Sequence, residues 1–142
     1  MKISFKRLDN ELPTPSHAHA GDGAVDLYAR EAASMEPGER TKVPTGIAVA
    51  IPVGFAGLVV PRSGWAAKQG VGITNGPGLI DAGYRGEIAV LLVNHGLEPV
   101  KIARGDRIAQ LMVIPVVEQE LIEVDELPDS LRAEGGFGST GR

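Results

Sequence analysis

Asp81 stands among residue types that together can act on a small molecule. The stretch from Gly72 to Val90 reads Gly-Ile-Thr-Asn-Gly-Pro-Gly-Leu-Ile-Asp-Ala-Gly-Tyr-Arg-Gly-Glu-Ile-Ala-Val. It sets one carboxylate, Asp81, beside an aromatic ring, Tyr84, a guanidinium, Arg85, and a second carboxylate, Glu87. Asn75-Gly76-Pro77-Gly78 just before them is a turn signal that predicts a hairpin of two extended segments. Exposed turn backbone, an acid, a ring and a cation point to a small-molecule site.

Other chemistry-bearing positions are scattered along the chain. Arg62-Ser63-Gly64 follows a strand and opens a short helical pattern. With Ser63 as cap, its amides would face an anion; equally, the residues only turn strand into helix. Gln110 interrupts the apolar run Ile-Ala-Gln-Leu-Met and needs a hydrogen-bond partner, either neighbouring backbone or a ligand. Asp26 lies among apolar residues of a strand, where a solvated face is the simplest expectation. His17, His19 and Asp22 lack a fourth metal ligand and read as a polar surface loop. His95 sits in a turn with no nucleophile motif around it. From Pro128 the chain turns polar and glycine-rich, ending Leu-Arg132-Ala-Glu-Gly-Gly-Phe137-Gly-Ser139-Thr140-Gly-Arg. That composition predicts disorder, and it also suits an arm that folds over a ligand.

The elements that must position these groups are short strands. Residues 3–8, 25–29, 40–43, 46–51, 55–60, 99–103, 107–115 and 116–124 have strand patterns, broken by Pro and Gly at the turns. Residues 87–93 form a near-continuous apolar run, the pattern of a strand buried on both faces. Residues 62–68 make the best short helix. Many short strands with turns at this spacing predict an all-β barrel or sandwich.

Composition narrows the class further. With 142 residues, 43% apolar and 23% charged, the chain is long enough for one domain with a real core. The net charge of −4 lacks the basic footprint that nonspecific nucleic-acid binding requires, but leaves room for a small anionic ligand. Nine of the 14 basic residues are arginine, the side chain suited to bidentate phosphate contacts. Without cysteine there is no disulfide, thiolate metal site or thiol nucleophile. The N-terminus has no apolar core of a signal peptide and no run reaches membrane-span length, so a cytoplasmic location is expected.

Five segments, in order, resemble the motifs of the trimeric deoxyuridine triphosphate nucleotidohydrolases. They are Gly-Ala-Val-Asp26-Leu-Tyr-Ala, Pro61-Arg-Ser-Gly-Trp-Ala, Asn75-Gly-Pro-Gly-Leu-Ile-Asp81-Ala-Gly-Tyr84-Arg-Gly-Glu, Arg104-Gly-Asp-Arg-Ile-Ala-Gln110-Leu and Arg132-Ala-Glu-Gly-Gly-Phe137-Gly-Ser-Thr. The resemblance implies a jelly-roll-like distorted β-barrel over residues 1–127, a C-terminal arm over 128–142, and a homotrimer with sites between subunits. It implies Mg²⁺-dependent hydrolysis of dUTP to dUMP and pyrophosphate, which keeps uracil out of DNA and supplies dUMP for thymidylate synthesis. Asp81 would activate the attacking water. Asn75, Gly78, Leu79, Ile80 and Ala89 would read the uracil edge, where each mismatched buried polar group costs ~1–3 kcal/mol. Tyr84 would pack on the deoxyribose and exclude a 2′-hydroxyl. Arg62, Ser63 and Gly64 would grip phosphates, and Gln110 the α-phosphate or the catalytic water. On closure Phe137 would stack on uracil while Arg132, Ser139 and Thr140 bind the γ-phosphate. Mg²⁺ would ride on substrate phosphates with no direct protein ligand, and Asp26 would act through water or pair with Arg107. Ala24, Trp65 and Ala133 depart from the usual residues of these motifs, none of them at Asp81, Tyr84 or Phe137.

Two alternatives share the fold. A deoxycytidine triphosphate deaminase needs a glutamate in the strand after Glu87, where Leu91 stands, and ammonia release from dCTP would identify it. A noncatalytic nucleotide-binding module would have lost Asp81 or the arm, and both are present in the sequence.

Overall fold

The structure is a computed structural model in which residues 1–130 are described. Its central sheet has four antiparallel strands in the order β2 (Val25–Tyr28), β11 (Arg107–Pro115), β6 (Phe55–Val60) and β8 (Gly78–Ile80). A second sheet has β9 (Ala89–Asn94) between β4 (Arg40–Pro44) and β7 (Val71–Ile73). Two further antiparallel pairs join β1 (Ser4–Arg7) to β5 (Ile47–Ala50), and β3 (Ala33–Met35) to β10 (Val100–Ile102). The helix is α1 (Ser63–Gln69). The all-β expectation with one short helix therefore holds, realised as several small open sheets around one core.

That core draws on every sheet. Leu27, Met35, Val43, Val90, Leu92 and Ile108 are all under 2% exposed and belong to one apolar cluster. Burying each such side chain contributes about 1.5–3 kcal/mol, so the small sheets are held by their shared interior more than by their short ladders. Asn94, fully buried, closes the end of β9 with all its amide bonds made. Its Nδ2 donates to the carbonyls of Met35 (3.1 Å) and Glu98 (2.8 Å), and its Oδ1 accepts from Gly96 N (2.8 Å).

Four expectations need correction. The segments flanking Asn75–Gly78 do not pair with each other: β7 pairs with β9, while β8 pairs with β6. The turn, with its cis Gly76–Pro77 bond, therefore carries the chain from one sheet to the other. The chain's turn residues mark where it reverses, but partner choice is made by the core, and each short strand finds a longer neighbour. Residues 116–124 form no strand; Val117, Leu121 and Ile122 are 76–92% exposed, because no described strand edge receives them. The run 87–93 is not buried on both faces, since Leu91 is 38% exposed. Pro44 ends β4 rather than separating two strands, and β3 had no clear pattern in the sequence.

Candidate active site

Asp81 and Tyr84 lie on the turn that follows β8. Tyr84 N donates to the Asp81 carbonyl at 3.0 Å, and Arg85 Nη1 donates to the carbonyls of Ala82 (2.6 Å) and Tyr84 (2.7 Å). The turn therefore holds its own shape while the Asp81 carboxyl stays at the surface. The Tyr84 hydroxyl donates to the Glu87 carbonyl at 3.0 Å. A Cβ at Gly86 would run into that hydroxyl, so glycine is needed there for Tyr84 to take this position.

These residues border an open cleft of about 170 Å³, lined by Asn75, Gly78, Leu79, Ile80, Glu87 and Ala89–Leu91 beside Asp81 and Tyr84. Its two walls are strands from different sheets. β8 is the last strand of its sheet, and β7 covers β9 along Leu92–Asn94, with Thr74 N donating to the Leu91 carbonyl at 2.8 Å. Among the described residues no ladder joins β8 to β9. The cleft thus lies between two backbone edges with hydrogen-bonding groups to offer, an arrangement that suits a flat ring bearing its own donors and acceptors. Leu91, on the cleft wall, presents an apolar side chain.

A second cluster forms around Asp26, which is 6% exposed rather than solvated. Arg62 Nε lies 3.5 Å from its Oδ1, Arg107 Nη1 donates to Oδ2 at 3.3 Å, and Gln110 Nε2 donates to Oδ1 at 3.4 Å. Of the two roles open for Asp26, the ion pair with Arg107 is the one seen. A β-bulge between Arg107 and Ala109 makes this arrangement. The extra residue lets Ile108 and Ala109 both be buried, and it sets Gln110 directly opposite Asp26. The polar Gln110 in its apolar strand thus has a partner in this chain. A buried carboxylate demands such pairing, because leaving it uncompensated costs several kcal/mol.

Arg62 occupies the N-cap of α1, and no side chain caps the helix, so Ser63 is not the cap the sequence suggests. Ser63 and Gly64 are exposed in the first turn, where backbone amides have no intrahelical partner. Arg62 Nη1 also donates to the Arg107 carbonyl at 3.1 Å. Trp65 packs its partly buried ring against the core, as a larger replacement in that position would. The structure therefore brings together Asn75, Gly78, Leu79, Ile80, Asp81, Tyr84 and Ala89 in one cleft, and Asp26, Arg62 and Gln110 in another cluster. Within one chain the two groups do not line the same cavity. Arg132, Phe137, Ser139 and Thr140, and the departure at Ala133, lie outside the described residues.

The histidine loop closes on itself: His17 Nδ1 lies 3.1 Å from the Ala24 carbonyl, and His19 N donates to Asp22 Oδ2 at 2.8 Å. His95 lies in the turn after β9, its amide donating to the Gly70 carbonyl at 2.9 Å. Among the described residues no three His, Cys, Asp or Glu side chains gather as a metal cage. No described helix is long and apolar enough to cross a membrane.

One network beside the cleft has no counterpart among the motifs of the chain. Arg30 Nη1 donates to both Glu87 carboxylate oxygens at 3.3 and 3.1 Å, and Gly46 N donates to Glu87 Oε1 at 2.8 Å. Arg104 pairs with Asp9 at 2.6 Å and with Glu11 at 3.0 Å. The hydrogen bond from Arg104 holds the Asp9 carboxyl well below the usual carboxylate range, aided by the Glu11 amide and the Arg30 charge against a smaller opposing effect of burial. Pairs 41 to 95 residues apart have no local signature. Gly46 is the one hint, since it has φ +72° and a Cβ there would lie 2.9 Å from Leu12 Cδ1.

A family model described as dUTPase matches residues 10–141. The deoxyuridine 5'-triphosphate nucleotidohydrolase of Mycolicibacterium gilvum (strain PYR-GCK) is 56% identical over 145 residues, covering 98% of this chain and 94% of its own. A mutant dUTPase of Staphylococcus bacteriophage 80alpha, solved with dUpNHpp, is similar with a TM-score of 0.92 at 30% identity, over 99% of each chain. A mutant dUTPase of phage phi11 of S. aureus, whose structure describes coordination of a structural Mg(II) ion, has a TM-score of 0.83 at 26% identity, over 91% of this chain and 100% of that one.

Proposed function

The chain belongs to the dUTPase family, and from that premise we propose that it hydrolyses dUTP to dUMP and pyrophosphate. One observation carries the residue assignment: the cleft between the unpaired edges of β8 and β9 has Asp81 and Tyr84 at its rim. Backbone groups around Asn75, Gly78, Leu79, Ile80 and Ala89 pair with the uracil edge, and cytosine is rejected because its donors and acceptors are interchanged. The wall of the cleft beside the Asn75–Gly78 turn excludes the methyl of thymine. Tyr84 covers the deoxyribose face and excludes a 2′-hydroxyl.

Asp81 accepts a proton from a water, whose oxygen forms a bond to the α-phosphorus. The bond from that phosphorus to the bridging oxygen of the β-phosphate breaks, and pyrophosphate leaves. A positioned general base of this kind contributes about 10²–10⁴-fold. Mg²⁺ fits the donor set as a companion of the substrate phosphates, because the Asp26 carboxylate is engaged by Arg62, Arg107 and Gln110 and no cage exists among the described residues. When bound there it neutralises phosphate charge.

An open cleft of about 170 Å³ is smaller than the ~300–1,000 Å³ of sites that enclose a drug-sized ligand, which supports placing the triphosphate outside it. We assign its binding to other copies of the chain in a homotrimer: Arg62, Ser63, Gly64 and Gln110 from one subunit, and Arg132, Phe137, Ser139 and Thr140 of an arm over 128–142 from another. The separation of the Asp26 cluster from the Asp81 cleft within one chain supports this division. The expected role of such hydrolysis is to keep dUTP low and supply dUMP. Pyrophosphate release from dUTP, dTTP, dCTP and UTP tests the proposal. Turnover of dUTP far above the other three is expected, and equal or absent turnover would refute it.

A further inference from the structure

We propose that Arg30, which does not line the cleft, sets how strongly the protein rejects a ribose, by fixing the carbonyl on which the Tyr84 hydroxyl rests. The inference builds on the dUTP assignment above and adds a positioning residue to it. The Tyr84 side chain is 45% exposed, so packing alone does not hold its ring. Its amide bond to the Asp81 carbonyl fixes the backbone, whereas among the described residues the ring is fixed by the hydroxyl bond to Glu87. Any movement of residue 87 therefore reaches the surface proposed to face the sugar.

Residue 87 is held on both sides of its peptide unit. Its carboxylate takes Gly46 N and Arg30 Nη1, and the next residue, Ile88, donates to the Ile47 carbonyl at 2.9 Å. The Ile88 carbonyl accepts from Thr45 N at 3.0 Å and from Thr45 Oγ1 at 2.7 Å. Arg30 is itself anchored. Its amide donates to the Pro44 carbonyl at 2.8 Å, its Nη2 to the Leu8 carbonyl at 3.3 Å, and its Nε lies 3.5 Å from Asp9 Oδ2. The Arg30 carbonyl accepts from Arg104 Nη1 at 2.6 Å. One guanidinium thus ties the chain after β1 to Glu87, and Glu87 ties it to Tyr84. Arg30 is the link that can be cut without removing the Gly46 bond, which keeps the local fold. With the Arg30 and Glu87 side chains 37% and 26% exposed, salt can reach the pair.

UTP and dUTP share base and triphosphate and differ by one hydroxyl, so the ratio of their kcat/KM values isolates the sugar contact. A purely structural pair would weaken both substrates alike or lower only thermal stability. In Arg30→Met, which keeps the aliphatic stem, turnover of dUTP is expected to stay close to wild type. The UTP-to-dUTP ratio is expected to rise roughly three- to fivefold, the factor a partly exposed ion pair supplies. Raising salt to about 1 M, where screening acts within ~3 Å, is expected to move the wild-type ratio the same way and leave that of Arg30→Met unmoved. In a Tyr84→Phe background, Arg30→Met is expected to change the ratio no further. An unchanged ratio in folded Arg30→Met overturns the inference. If that variant does not fold, a wild-type ratio insensitive to salt overturns it equally. Both results leave dUTP hydrolysis standing, whereas no pyrophosphate release from dUTP by the wild-type protein would overturn the functional assignment and this inference with it.

Discussion

Asp81 and Tyr84 lie three residues apart on a turn closed by a 3.0 Å backbone bond, so a carboxylate and a ring are displayed together with no strand between them. An exposed acid can reach a ligand and costs nothing in buried charge. Asp26 contrasts with it: it is 6% exposed and paired with two guanidiniums. The contrast gives a residue-level prediction. Asp81→Ala is expected to retain dUTP binding, measured by calorimetry, while kcat falls about 10²–10⁴-fold. A variant with wild-type kcat would sink Asp81 as the base.

At the scale of elements, the β11 bulge and the switch of sheets at Asn75–Gly78 do most of the positioning. The bulge brings Arg107 and Gln110 to Asp26, and the switch opens the cleft between β8 and β9. A third device ties the chain after β1 to the turn before β11, through Asp9 and Arg104. Because Asp9 titrates below its ordinary 3.8 in the folded chain, the unfolded chain binds the proton more readily. The stabilisation is therefore fully present above about pH 4 and is lost as pH falls below it. Asp9→Asn is expected to be less stable than wild type at pH 7, with the gap narrowing in denaturant titrations run at progressively lower pH. A gap that stays constant down the pH series would refute the assignment.

For the molecule as a whole, the largest unanswered surface is the stretch after β11. Val116, Val117, Leu121, Ile122, Val124 and Leu127 are 43–92% exposed, a run of apolar side chains that a lone chain leaves in water. Together with the division of the proposed site into two clusters, it favours an assembled protein. Light scattering is expected to give the mass of three chains. Removing residues 132–142 is expected to leave that mass in multiples of three while abolishing or gravely weakening dUTP hydrolysis. A monomer in solution, or full activity after truncation, would count against the three-subunit site.

Local chemistry made much of this legible from residues alone. The spans of β6 and β11 follow from apolar runs bounded by Pro and Gly, and the helix after Pro61 follows from its small, helix-favouring residues. Asp81, Tyr84 and the turn before them stood out because acid, ring and glycine turn are neighbours in sequence. Pairing across distance did not. The partners of β7 and β8, the burial of Asp26 and the Arg30–Glu87–Tyr84 chain depend on groups tens of residues apart, for which a linear pattern holds no trace. Residues 116–124 have the apolar, β-branched content of a strand, yet form none, because a strand needs an edge to pair with and composition does not supply one. Residue types and their order establish which groups can do chemistry; which of them meet depends on the folded chain, since burial and ladder pairing are settled by the whole core at once.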